Sequence, residues 1–284
     1  MITRAAGTAR HHTAQLTRQG RLASIAGVIL AVGYVLNTAA AADMPTKAPA
    51  PVYDWTGCYV GLNAGGGASG TNFASTVDPG TYLGPADAAT VSADGGGSRN
   101  DSGGLAGGQL GCNWQTGTLV LGVEGDFDYF HSNPKINNNT ATTGISLASG
   151  APFTITQSLT TNFLATVRPR VGIAADRNFA YITGGVAFTS INYGETFTDT
   201  SALPPGPGAG TAAASRSLVG WTAGAGWEYA FADHWTVRAE YLIAGFPTTT
   251  ALGAIVAPGP TTNTLHGSAD LLVQLVRAGV NFKF

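Results

Sequence analysis

Residues 274–284 read QLVRAGVNFKF, and from Val276 onward the side chains sort by parity. Val276, Ala278, Val280, Phe282 and Phe284 fall on one side, and Arg277, Gly279, Asn281 and Lys283 fall on the other. A period of two is that of a strand, because successive side chains leave opposite faces. The second face carries two full charges and an amide in a segment with no turn residue. A soluble sandwich would turn that face to water and its partner to a core; a lipid-embedded barrel would turn them to lumen and bilayer.

Composition narrows the choice. The chain has 284 residues, 40 of them Gly, with 44% hydrophobic and only 11% charged residues. Few charges, abundant Gly and no long apolar run past the N-terminus argue against an ordinary soluble enzyme and against a helical membrane protein. Residues 1–42 read as a signal peptide: Arg4, Arg10, Arg18 and Arg21 form a basic start, 22–36 an apolar stretch, and Ala40-Ala41-Ala42 a small-residue cleavage site. The apolar stretch is shorter than the ~20 residues of a spanning helix. Removing residues 1–42 takes four Arg and no acid from 14 basic and 16 acidic residues, leaving a net charge of −6. That balance offers no basic patch for nucleic acid. Residues 43–54, with the Pro-rich MPTKAPAP, are expected to form an extended periplasmic spacer. Export would permit a disulfide between Cys58 and Cys112, the only two cysteines, and no zinc-type spacing is present.

Eight strand candidates follow, at 58–67, 105–114, 119–129, 163–174, 179–191, 218–231, 235–244 and 271–284, with Trp55 ahead of the first as an expected interface anchor. Short turns join them in pairs, and four long stretches rich in Gly, Pro, Ser, Thr and Asn (68–104, 130–159, 192–217 and 245–270) separate the pairs. A compact soluble domain rarely carries four such loops. Alternating short and long connections suit an up-and-down barrel with one rim periplasmic and one outside. The reading is therefore all-β: an eight-stranded antiparallel transmembrane barrel over 55–284 with four long extracellular loops.

Strand charges share the face opposite the aromatics. Glu124, Asp126 and Asp128 oppose Val123, Phe127 and Tyr129; Arg168 and Arg170 oppose Val167 and Val171. Glu228 opposes Trp227 and Tyr229, and Arg238 and Glu240 oppose Val237 and Tyr241. With Arg277 and Lys283 this makes five acids and five bases, an expected lumen network in mutual balance, because a lipid-facing charge costs ~2–4 kcal/mol near the midplane. Trp114, Trp221, Trp227 and Trp235 are expected near the short turns, at headgroup level.

YDWTGCYVGLNAGGG (53–67), NFLATVRPRVGIAADRNFAYITGGVAF (162–188), GWTAGAGWEYAFADHWTVRAEYLIAGF (220–246) and the terminal RAGVNFKF (277–284) together resemble the small porin-like outer-membrane barrel family of alpha-class Gram-negative bacteria, related in architecture to the OmpA transmembrane domain. The resemblance implies an eight-stranded barrel in the outer membrane, inserted by the barrel-assembly machinery, with terminal Phe284 as its recognition signal. The chain departs from the family at Cys58 and Cys112, where Phe or Tyr is usual. Both are on the outward parity of neighbouring strands and could be cross-strand bonded or remain two lipid-facing thiols. Pro169, inside a strand without a free edge, is expected to cause a bulge or kink.

No constellation carries chemistry convincingly. His131, above Asp126 and Asp128, has no accompanying partner motif. His234 lies in a turn, and His266 in a long loop without a neighbouring acid. GGGASG and DGGGSRN precede no strand-to-helix unit and read as flexible loop. Glu124, Asp126 and Asp128 could in principle hold a divalent cation, but Arg168 and Arg170 neutralise them more simply. No catalytic residue, metal or cofactor is assigned. A barrel this narrow is filled by its side chains, so the expected role is structural and surface-interactive, supporting outer-membrane integrity among the outer-membrane lipids, with the loops open to an unknown surface ligand. A narrow diffusion porin is the alternative.

Overall fold

The computed structural model describes residues 53–145, 151–201 and 204–284. The expected signal peptide, and the spacer up to residue 52, lie outside them. Nine strands and one helix follow in order: β1 (Gly57–Val77), α1 (Pro85–Asp94), β2 (Gly97–Thr116), β3 (Leu119–Ser132), β4 (Lys135–Ile145), β5 (Ala151–Ala175), β6 (Asn178–Asp199), β7 (Ala209–Ala230), β8 (Trp235–Ala257) and β9 (Thr261–Lys283). All pairings are antiparallel between neighbours, β1 also pairs with β9, and β3 pairs with β5. Eight strands thus close into a ring, while β4 continues the path of β3 beyond Asn133-Pro134 and pairs with the outer part of β5.

The strands run far past the ~9–11 residues that a bilayer crossing needs. This corrects the expectation of four long loops. The GGGASG run (65–70) lies inside β1, and the end of DGGGSRN opens β2. Among the described residues the β1–β2 connection alone folds into a helix, α1, which begins with Pro85 and ends before Gly95, the usual order of first-turn Pro and terminal Gly.

The barrel reverses its polarity along its length; most strands keep one inward parity, while β5 and β8 switch theirs at Thr161/Ala165 and Phe246/Thr249. In the lower half the outward side chains are apolar and exposed, among them Leu62, Leu110, Phe127, Val186 and Val276. In the upper half outward Asn72, Thr76, Asn192 and Thr196 face water, and inward Phe73, Phe153, Ile155, Phe197, Ile255 and Leu265 form an apolar core. Tyr82, Leu83, Ala88 and Val91, on α1 and the turn before it, join this core. Register shifts occur at Tyr129/Ser132, Thr161/Ala165, Ala212/Trp221 and Phe246/Thr249. Rungs Tyr129↔Phe163, Ala165↔Phe188, Phe188↔Val219 and Trp221↔Gly245 link these positions. The irregularities therefore follow one level around the wall, where the outer environment changes and a bulge can redirect strands. Pro247 falls inside the last of these shifts.

Pro169 makes no bulge. The rungs Val167↔Val186 and Arg170↔Thr183 keep one register on its β6 side, and Val123↔Pro169 keeps the ladder on its β3 side. Gly184 and Gly185 lie opposite on β6, where a Cβ on Gly185 would collide with the Val167 carbonyl. The strand passes Pro169 because its neighbour is stripped to backbone. The short turns are tight: Gly117 takes φ +62° between β2 and β3, and Asp176 φ +50° between β5 and β6.

Candidate functional site

The inward faces of β1, β2, β3, β5, β6, β7, β8 and β9 converge in the lower half on one buried ionic cluster. Arg168, fully buried, sits at its centre. Its Nη2 lies 2.7 Å from Glu124 and 2.8 Å from Asp126, and its Nη1 3.1 Å from Glu240. Nε donates to Thr166 at 2.8 Å. Arg277 reaches Asp126 at 3.1 Å and Glu240 at 2.7 Å, and also pairs with Asp128. Arg238 lies 2.5 Å from Glu124 and 3.6 Å from Glu240. Arg170 bridges Glu124 and Glu228 at 3.4 and 3.3 Å, and its guanidinium packs over the rings of Tyr59, Tyr181 and Phe179 at 4.7, 5.2 and 5.3 Å.

Neutral groups complete the shell. Tyr59 donates to Glu124, Tyr181 to Glu240 at 3.1 Å, and Thr166 to Asp126 at 2.6 Å. Thr236 and Asn281 both donate to Glu228, and a chain Asn63–Gln109–Asn281 runs beside them. In a low-dielectric interior such charges persist only with partners and hydrogen bonds. Tyr59, Phe179 and Tyr181 correct the rule that aromatics take the outward face. Their inward parity was readable, but no charge in their own segments marked it.

Lys283 stands apart from the cluster. It shares the inward parity but lies at the mouth on the short-turn rim, with Nζ 4.3 Å from the centre of the Tyr53 ring and a bond to the Asp54 carbonyl. The mid-membrane cluster therefore holds five carboxylates against four guanidiniums, which corrects the expected balance of five against five. Parity fixes which face a residue takes; its height along the axis decides which partners it meets.

The mouth itself is filled. Trp55, expected as an interface anchor, is instead buried to 1% exposure, packed 5.1 Å from Phe179 and 5.0 Å from Tyr53. Its indole Nε1 donates to the Asp176 carbonyl at 3.3 Å and its amide to Gln115 at 2.8 Å. Burial pushes the Tyr53 hydroxyl up to about 12. The end of the expected spacer thus packs as part of the barrel. Outside, Trp114, Trp227 and Trp235 remain exposed near the short turns. Trp221 lies a membrane crossing higher, ten positions above Phe231, and so belongs to the opposite girdle.

Cys58 and Cys112 face each other across β1 and β2 with Cα atoms 4.0 Å apart and form a disulfide. Phe284 is 72% exposed, and its amide bonds the Cys58 carbonyl at 3.0 Å. His131 points outward to Asn162 at 2.8 Å, on the face opposite Asp126 and Asp128. His266 does meet an acid, Asp78 at 2.8 Å, which tertiary pairing brings from β1's end. Among the described residues no group of three His, Cys, Asp or Glu side chains is placed to hold a metal ion.

A closed antiparallel ring with an apolar outer belt, aromatic girdles and its belt-level charges turned inward is a transmembrane β-barrel. The outer membrane protein beta-barrel domain family matches residues 29–284, and the chain belongs to that family. It is 33% identical over 248 residues to the 31 kDa outer-membrane immunogenic protein of Brucella melitensis, covering 84% of this chain and 88% of that one. It is 28% identical over 258 residues to the 25 kDa outer-membrane immunogenic protein of Brucella abortus, covering 87% and 91%. Among solved structures, the outer membrane protease OmpT of Escherichia coli aligns at 7% identity and TM-score 0.40, over 83% of this chain and 99% of that one. This protein resides in the bacterial outer membrane, among its lipids.

Proposed function

We propose that this protein is a closed outer-membrane barrel with a structural and surface-interaction role, stabilising the membrane and displaying its extended outer half. The observation that carries this reading is the obstruction of the axis at three levels: Trp55 and Tyr53 at the mouth, the Arg168 cluster at mid-membrane, and the apolar core under α1 above. A solute would have to displace buried ion pairs, and breaking such pairs costs ~3–5 kcal/mol each. The ten residues Glu124, Asp126, Asp128, Arg168, Arg170, Glu228, Arg238, Glu240, Arg277 and Lys283 act here as structural elements, not as reactive groups, and the protein is not an enzyme. The Brucella relatives are named immunogenic proteins, which supports exposure of the outer half, where a surface ligand would bind.

Residues 1–42 serve as the export signal and 43–54 lead into the barrel. Phe284, exposed at the end of the last strand, serves as the signal read by the barrel-assembly machinery. Single-channel recording in planar bilayers tests the main reading: no stable conductance is expected. Large, salt-dependent openings would establish the diffusion-porin alternative instead.

A further inference from the structure

Among the described residues three buried acids stand outside the mid-membrane cluster, Asp87, Glu195 and Asp199, and Glu195 is the most deeply buried of them. Glu195, on the inward face of β6 in the upper half, is 1% exposed. The Tyr193 hydroxyl donates to its Oε2 at 2.9 Å, and Gln157 Nε2 donates to the Tyr193 oxygen at 3.1 Å. Its other oxygen, Oε1, makes no hydrogen bond of good geometry, nor do Gln157 Oε1 and Ser75 Oγ; Ser75 and Gln157 nonetheless approach the carboxyl closely enough to favour its ionised form, against the effect of burial. Gly267 on β9 makes the room: a Cβ there would collide with Glu195 Oε2 and the Tyr193 hydroxyl.

The surroundings decide the charge state. β1 contributes Phe73, Ser75 and Val77; β5 contributes Ile155, Gln157 and Leu159; β6 adds Tyr193 and Phe197; β9 adds Leu265 and Ala269. Tyr193 is the one titratable group facing the carboxyl from these strands, and the acids of α1, Asp87 and Asp94, bring no positive charge. Each of the five carboxylates in the lower cluster touches a guanidinium, whereas no described Lys, Arg or His pairs with Glu195. An isolated ionised carboxylate in an apolar interior is so costly that the group takes up a proton instead. The neutral acid also supplies an O–H donor, which a carboxylate lacks and which unpaired acceptors require.

We propose that Glu195 is a proton-binding site that fastens the extracellular half of the barrel: the carboxyl is neutral when that half is closed, and its ionisation loosens β1, β5, β6 and β9 around it. Burial raises the acid's pKa, more than the polar contacts of Ser75, Tyr193 and Gln157 lower it. The folded half therefore binds the proton more tightly than an opened one. Its stabilisation is full below the ordinary glutamate pKa and is lost as pH rises through the elevated value.

Two measurements on the whole protein in lipid vesicles test this. Infrared difference spectra should show a neutral-carboxyl C=O band under mildly acidic conditions that Glu195→Gln removes. Amide exchange, corrected for intrinsic rate, should report an opening constant for residues 191–199 that rises up to about tenfold per pH unit inside the window. The membrane-level part of β6 should not follow, and E195Q should flatten the dependence. If E195Q does not fold, the wild-type profile alone still decides. A pH-independent opening constant, no removable band, or a dependence on sodium rather than pH would each overturn the proposal.

Discussion

Arg168 is the residue on which the interior is most dependent, since three carboxylates from β3 and β8 point at one fully buried guanidinium. Arg168→Met keeps the bulk but strands those acids, so it should destabilise the barrel by about 3–5 kcal/mol, read as a lower urea midpoint in vesicles. Lys283→Met should cost far less, because that ammonium lies at the mouth and loses mainly its contact with the Tyr53 ring, ~1 kcal/mol. Equal losses in the two variants would refute the separation of Lys283 from the cluster. Trp55→Ala removes a fully buried indole, and a loss of about 3–5 kcal/mol is expected if the mouth cannot collapse around the void. Such a loss, measured in the same titration, distinguishes a packed plug from a membrane-surface anchor.

Among the elements, β1 has the most to hold: it closes the ring against β9 and is tied to β2 by Cys58–Cys112. Reduction should lower stability by ~2–4 kcal/mol without opening the ring, giving an earlier unfolding midpoint but an unchanged folded band on a cold gel. Helix α1 is held by side chains from elsewhere. Asn263 bonds both the amide and the carbonyl of Leu83 at 2.8 Å, and Tyr82 donates to Asp199 at 2.6 Å. Val91, fully buried on α1, faces the upper core. Val91→Asp would place an unpaired charge there, so exchange protection should collapse in the upper strands while the membrane level keeps its protection. Uniform loss along whole strands would mean that the two halves unfold as one.

For the whole molecule, the decisive property is one continuous wall with two different interiors. The lower half meets hydrocarbon, so its apolar side chains face out and its ions pair within; the upper half meets water, so its inward face is apolar and its outward face polar. A heat-modifiable gel shift from an outer-membrane fraction should accompany the closed ring.

Residues 274–284 and the segment around Glu124 already defined the faces, the eight membrane crossings and the charged interior, because a period of two forces every side chain to one side or the other. Heights, partners and reach were decided only in the folded barrel. The Thr-, Ser- and Asn-rich stretches continue as strands because neighbours pair with them, and Lys283 meets Tyr53 instead of an acid because of where β9 ends. Trp55 is buried through its bond to Asp176, and Glu195 between Gln157 on β5 and Gly267 on β9, all more than 30 residues distant along the chain. Alternation is a local property that a single strand records, whereas proximity across a closed sheet exists only after all eight have taken their register.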